Sequence, residues 1–465
     1  MRTTPDRASG TGTDDNDREW IVKISKNRWW RTIAAMTAMA MIAVACGNGE
    51  DVDDPDADPD DTEEAVEGGE EGVITVLHAL TGDVDTAGLR AAFDRFTEET
   101  GIEVQDQGSG DFEQLARSRV EGGNPPDIVL HPQPGLMRDL VDQELAVAAD
   151  DWVDLDQLEA DMVDGLVELG EWNDQFYGLM VRLSIKSLVW YVPEYFEANG
   201  YEVPETWDEM VELTDTIRES GDVPWCIGIE SSDATGWVAT DWIEDIMLRV
   251  HGGELYDDWV TNDLPFDSPE VTEAIEEYMD PIWFTEGNVF GGTPNILQTS
   301  FGDSVLDLVN GDCHMHRQAS FIEGFLPDGT VVGEDVDFFY LPAIDPSVGE
   351  PVLIAGDLAV AYTDNPSNEA FFQHFSTPES GEPWGAEGAW LSPFSDFDVS
   401  AYADQSLEAQ GEIIVNADFA RFDASDMMPG AVGAGAFWTE MVNYVQRGGE
   451  DLESALQNID AAWPN

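Results

Sequence analysis

Basic residues are what this chain has least of. Its 465 residues carry 19 Lys+Arg against 97 Asp+Glu, a formal net charge of −78 at pH 7. Seven of those bases and five of those acids fall in residues 1–45. Beyond them 12 bases stand against 92 acids, a net charge of −80, and Lys186 is the one lysine. A field of that sign excludes nucleic acid and anionic lipid surfaces as partners. An anionic ligand would need a local concentration of arginine, and none is visible in the sequence. The surface is heavily hydrated, as saline surroundings favour; general acidity of the source proteome gives the same composition. Catalytic signatures are missing as well. There is no nucleophile elbow and no metalloprotease motif. A pair of Asp or Glu residues is no evidence for glycoside hydrolysis when 92 acids are present. No internal repeat occurs. Cysteine is scarce too, with three in all, Cys46, Cys226 and Cys313.

What is present begins with an export pattern. Lys23, Lys26, Arg28 and Arg31 precede an apolar run, residues 33–45, that ends in Ala45-Cys46-Gly47. The run has 13 residues, whereas a membrane span needs roughly 20. A signal peptide over 1–45 fits better. The junction is similar to a bacterial lipobox, with Ala43 where Leu is usual. Cys46 is then the lipidated mature N-terminus, and the lipid is the only membrane attachment. The alternative is an ordinary signal with a chance cysteine. Residues 46–72 hold no aromatic and no base, so they form a disordered, extended acidic tether. Asp-x-Asp spacing there superficially resembles a calcium loop, but the prolines and the missing distal Glu argue against one. In an exported protein Cys226 and Cys313 can form a disulfide, or remain two buried thiols.

The folded part is long enough for two lobes. Residues 73–77 read as a buried strand. Leu89, Ala92, Phe93 and Phe96 then recur at helical spacing up to Gly101. A second strand at 102–104, a helix from Asp111 through Leu115 and Val120, and a third strand at 127–130 continue the alternation. Strands alternating with helices predict βαβ units and a parallel sheet. Ligands of such sheets lie beyond the strand C-termini, here His78, residues 108–111 and residues 131–133. Helices are predicted over 207–217, 242–248 and 441–463, and strands over 336–342 and 352–362.

Several segments resemble a known family in their order and spacing. They are residues 176–180 (FYGLM), 187–191 (SLVWY), 196–200 (FEANG), 204–209 (PETWDE), 314–321 (HMHRQASF), 338–342 (FFYLP), 390–393 (WLSP) and 437–441 (FWTEM). Over about 73–465 the chain is similar to family-1 extracellular solute-binding proteins, and within them to the α-glucoside-binding branch. Two departures stand out: Tyr191-Val-Pro193 where many relatives have Tyr-Asn-Lys, and Ala319-Ser-Phe321 where Gly-Ser-Trp is common. The resemblance implies an α/β, two-lobed, type II periplasmic-binding-protein-like fold, each lobe a sheet flanked by helices around a hinge. It places lobe 1 at 73–181 and 346–392, and lobe 2 at 182–345 and 393–465. Crossings are expected near 180–184, 341–349 and 391–395. It implies a monomer without cofactor or catalytic residues. That monomer would capture a neutral mono- or oligosaccharide, such as an α-glucoside, and deliver it to the permease subunits of an ABC importer. A glycoside hydrolase and a sensory receptor without a transporter are the rival classes.

Sugar binding needs flat apolar faces and planar hydrogen-bonding groups. Trp237, Trp242, Trp390 and Phe321 are the stacking candidates, although most aromatics serve a core. Ser109, Asp111 and Phe112 sit in a loop entering a helix, where Asp111 either binds a hydroxyl or caps the helix. Asp241, Asp357 and Asp426 are candidate hydroxyl acceptors, and Ser320 joins them through its motif. Arg182 and Arg317 bind ligand or neutralise nearby acids. Cys313, His314 and His316 could share a metal, but a structural zinc site needs four ligands and no second cluster is visible; no metal is expected.

Overall fold

The computed structural model describes residues 72–464, apart from 164 and 404. The signal, Cys46 and the tether through residue 71 lie outside the described residues.

The first strand, β1 (Val73–His78), is buried from Ile74 onward, as an apolar run covered on both faces must be. It pairs in parallel with β2 (Glu103–Gly108) and β3 (Ile128–His131). The helices Asp83–Thr100 and Phe112–Glu121 are the crossovers. Leu89, Ala92, Phe93 and Phe96 form the buried stripe of the first, and Gly101, at φ 77°, closes it with a left-handed cap. A small hairpin, β4 (Glu171–Trp172) with β5 (Gln175–Phe176), leads into β6 (Gly178–Ile185).

The chain next builds an antiparallel sheet from β7 (Leu188–Tyr191), β8 (Met315–Arg317) and β9 (Asp337–Tyr340), with β7 in the middle. Its alternation divides two cores. Leu188, Trp190 and Val192 face the core shared with the first sheet, and Val189 faces the other. Cys226 and Cys313 are joined in a disulfide beside this sheet, with Cα atoms 5.5 Å apart. The second core is built around the helix Trp237–Val260, where every residue from Val238 to Arg249 is buried. The helix Trp207–Ser220 adds Trp207, Met210, Leu213 and Ile217 to this core and starts with a capping box: Thr206 accepts from Glu209 N, and Glu209 accepts from Thr206 N.

The eleven-residue β10 (Pro351–Ala361) and β11 (Phe419–Phe422) complete the large sheet. One edge of β10 pairs antiparallel with β6 along most of its length. The other edge pairs antiparallel with β3 at residues 358–361 and in parallel with β11 at residues 351–354. The sheet is therefore mixed, in the order β11-β10-β3-β1-β2, rather than purely parallel. β6 and β10 are the strands that connect the two lobes, and their register shifts between Asp357 and Leu358. Within β10, Leu353 is buried in the second core and Val352, Ile354, Ala355 and Leu358 in the first. Leu391 pairs with Leu183, but Phe394, Phe397 and Leu407 still pack into the first core. The chain rejoins the second core only past β11, where Ala424, Met428 and Phe437 are buried.

Candidate functional site

The ends of β1, β2 and β3 and the middle of the crossing strands open onto one cavity of about 160 Å³. Leu80 follows β1, Ser109, Phe112 and Glu113 follow β2, and Gln133 follows β3. Arg182, Ser184 and Lys186 come from the β6 crossing, and Gly356 and Asp357 from β10. The helices of the second lobe contribute Trp237, Asp426 and Trp438, while Phe301, Phe321 and Phe325 complete an aromatic wall. Gly356 has to be glycine, since a Cβ there would stand 2.4 Å from the Arg182 carbonyl oxygen.

Both cations in the wall are already neutralised. Arg182 donates to Asp85 Oδ1 at 2.8 Å and to Asp357 Oδ2 at 3.4 Å, and its guanidinium lies 5.6 Å from the Phe321 ring centroid. Burial pushes Asp85 up to about 6, with Arg182 pulling the other way. Asp357 is raised by burial against the same opposition. Lys186 donates to Asp241 Oδ1 at 2.8 Å and to Asp423 Oδ2 at 2.5 Å, and its Nζ lies 5.0 Å from the Trp237 ring. Burial works against its charge, but Asp241, Asp423, Asp426 and Glu244 outweigh that and hold it above the ordinary lysine value. Asp426 is raised well above the carboxylate range, first by burial and then by Asp423.

Ser109, Phe112, Arg182, Trp237, Phe321, Asp357 and Asp426 thus line one cavity. Six other candidates do not. Asp241 and Arg317 are fully buried beneath the floor, where Arg317 bonds Asp245 Oδ2 at 2.8 Å and approaches Asp241 Oδ2 at 3.5 Å. Their mutual charge and that of Lys186 keep them there. Trp242 packs edge-on to Trp225 and Trp283 in the second core, because it lies on the inner face of its helix. Trp390 stacks on Trp384 and donates its Nε1 hydrogen to Val181 O at 3.0 Å, so it braces the β6 crossing from behind. Ser320 Oγ is occupied as the acceptor for Ile185 N at 3.2 Å. Asp111 is exposed and neither caps its helix nor reaches the cavity; it accepts from the Ser232 hydroxyl across the cleft mouth. The helix is instead approached by Asp233, whose Oδ2 accepts from Gln114 N at 3.0 Å.

Asp85, Glu113, Lys186, Phe301, Phe325 and Trp438 are lining residues that the sequence reading passed over, and Gln133 was marked only as part of the strand end at 131–133. The signal for Lys186 was present, as the one lysine after residue 45. Glu113 and Gln133 follow strand ends already marked as ligand-facing. The Cys313, His314 and His316 trio cannot act together: Cys313 is in the disulfide, and His316 Nδ1 is bonded to Cys226 O at 2.9 Å. Asp241, Glu244 and Asp423 bring their carboxylates within 4.8 Å of one another, but the Lys186 ammonium supplies the positive charge there.

A two-lobed α/β body with its cavity at the crossing strands defines a type II solute-binding protein. Residues 82–426 match the bacterial extracellular solute-binding protein family, and the chain belongs to it. It is 42% identical over 405 residues to the alpha-glucosides-binding periplasmic protein AglE of Rhizobium meliloti (strain 1021), covering 84% of this chain and 86% of that one. It is 40% identical over 393 residues to the osmoprotective compounds-binding protein GgtB of Synechocystis sp. (strain ATCC 27184 / PCC 6803 / Kazusa), covering 84% and 92%. Among solved structures, the bacterial solute receptor AcbH superposes with a TM-score of 0.74 at 17% identity, covering 84% of this chain and 98% of that one. Maltose-bound T. maritima MalE3 superposes at 0.66 and 16% identity, covering 84% and 98%. These proteins bind solutes, and the present chain is likewise a binding protein, not an enzyme.

Proposed function

We propose that the protein captures a neutral sugar, an α-glucoside or another short oligosaccharide, between its two lobes and delivers it to the permease subunits of an ABC importer. The observation that carries this reading is the make-up of the cavity. Trp237, Phe321 and Trp438 offer ring faces for sugar C–H groups, and carboxylates and amides offer acceptors for hydroxyls. Arg182 and Lys186 are each held by two carboxylates, so neither is free to balance an anionic ligand. The alpha-glucosides and osmoprotective compounds in the relatives' names fit the same neutral, hydroxyl-rich class. A cavity of about 160 Å³ is close to the roughly 150 Å³ that encloses one benzene ring. It would enclose one pyranose ring, with the rest of a glycoside toward the mouth. Closure of the lobes about β6 and β10 supplies the state that the ligand stabilises. The receptor works as a monomer held to the outer face of the cell membrane by lipid on Cys46.

Calorimetry of the exported protein with neutral mono- and oligosaccharides, amino acids and peptides tests the ligand class. Saccharide binding alone supports it; tight amino-acid or peptide binding with no saccharide response overturns it. Replacing Cys46 with Ser should release the protein from membranes or block its processing, and wild-type fractionation of that variant would remove the anchor.

A further inference from the structure

Two hydrogen-bond acceptors in the cavity wall are buried and have no partner: Gln133 Oε1 and Glu113 Oε2. Both belong to residues that line the cavity. Gln133 is 5% exposed, and it sits at the N-terminus of the helix Pro134–Asp142, directly after β3. Glu113 is half-buried in the first turn of the helix Phe112–Glu121, after β2. The two side chains hold each other. Gln133 Nε2 donates to Glu113 Oε1 at 2.9 Å. Only the nitrogen end of the amide can donate to a carboxylate, so this bond leaves the Gln133 oxygen as the free end. A buried acceptor without a donor is costly, and two side by side make a wall that is short of donors.

We propose that Gln133 and Glu113 are specificity-determining residues that read a pair of neighbouring hydroxyl groups on the bound sugar, Gln133 through Oε1 and Glu113 through Oε2. This rests on the sugar reading above and adds which part of the ligand is recognised and by which lobe. Aromatic faces from Trp237 and Trp438 lie across the same cavity, so one ring can meet an apolar face and the acceptor pair at once. Asp233 of the second lobe comes up to this corner, bonding Gln114 N at 3.0 Å. Burial, and then the charge of Asp233, push the Glu113 carboxyl up to about 8. Either protonation state of Glu113 keeps lone pairs for a ligand hydroxyl. Closing the lobes without a donor in place leaves these acceptors unpaired, and a vicinal diol satisfies both. A ligand lacking one of the two hydroxyls leaves one of them unpaired in the closed state, which is a strong basis for rejection.

The test uses the full exported chain and titration calorimetry. The tightest binder among maltose, trehalose, sucrose and methyl α-D-glucopyranoside serves as the probe, together with its monodeoxy derivatives. Gln133→Met keeps the length of the side chain and removes the acceptor; Glu113→Gln keeps the shape and puts an amide nitrogen, a donor, in place of the Oε2 acceptor. Each should weaken the parent sugar by about 10- to 100-fold. For each variant, that loss should vanish with one particular deoxy derivative, because the hydroxyl it would have received is already gone. The two derivatives so identified should lack adjacent hydroxyls. Variants that melt like wild type and bind the parent sugar equally well, or that weaken every derivative alike, overturn the assignment. Should wild type bind no neutral mono- or oligosaccharide at all, these four included, the sugar reading itself falls and this inference with it. That outcome is read from the wild type alone, before any variant is made.

Discussion

At the scale of single residues, Lys186 decides most. It is 5% exposed and carries its charge among four acids. Removing one partner from a buried ion pair is far more damaging than the pair is stabilising. Lys186→Met should therefore lower stability by about 3–5 kcal/mol, read by urea unfolding, because Asp241 and Asp423 would be left facing each other. The same residues set the pH response. Burial, first of all, pushes Asp85 up to about 6 and Asp241 up to about 7. Each folded-state value is raised, so the associated stability is complete below the unfolded carboxylate value and is lost as pH rises through the folded one. Asp423 has the opposite sign. Burial opposes its ionisation, but Lys186 holds it below the usual range, so its contribution is lost only on strong acidification. The melting temperature should fall as pH is raised from about 5 to about 8, by the equivalent of a few kcal/mol in all. A flat profile over that range would contradict these assignments.

Elements show how local chemistry is used and then overridden. The capping box at Thr206 is local: the side chain satisfies an amide that the helix cannot. Thr206→Ala should cost about 1 kcal/mol without altering ligand affinity, checked by paired melting and calorimetry. The disulfide is not local. It spans 87 positions and joins segments far apart in sequence, with Cys226 N donating to Met315 O at 2.8 Å beside it. In the chain-entropy picture, closing a loop of that length stabilises by about 4–5 kcal/mol. The Cys226→Ser, Cys313→Ser double variant should lose that much, and reduction of the wild type should have a similar effect. The helix Trp237–Val260 extends well beyond the 242–248 pattern. Its N-terminal flank, Val238–Asp241, is buried on every face, so amphipathic spacing cannot mark it; beyond it the helix kinks at Gly252, and its last part buries Tyr256, Trp259 and Val260 while Glu254 and Asp258 are exposed.

For the whole molecule the dominant quantity is charge. With a formal net charge of −78, carboxylate repulsion opposes the compact state, and too few bases are present to offset it. Screening reduces that repulsion as the Debye length shortens from about 10 Å at 0.1 M salt to about 3 Å at 1 M. The melting temperature should rise over that interval by several degrees, and ligand affinity should change little because the cavity's cations are internally paired. A melting temperature that falls with potassium chloride would mean that surface ion pairs outweigh repulsion. Under the proposed function, rigid-body closure of the lobes about the paired strands β6 and β10 is the large-scale motion that ligand binding would drive.

The sequence by itself determined the class. The βαβ run from residue 73, the ordered motifs after residue 176, the missing bases and the paucity of catalytic signatures all act locally or compositionally, and such signals survive in one dimension. It also placed Ser109, Phe112, Arg182, Trp237, Phe321, Asp357 and Asp426 at positions that come together around one cavity. Tertiary structure decided the rest. Whether an aspartate or a tryptophan meets ligand or core depends on which face of a buried helix it occupies and what packs there. Asp241, Trp242 and Arg317 carry the right chemistry but are covered. Glu113 and Gln133 look ordinary in sequence and become distinctive only when folding buries one acceptor of each beside the other. The pairing of β10 with both β3 and β11 is long-range. Its register is set by partner strands distant in sequence within one sheet, and no local pattern within residues 351–361 encodes that.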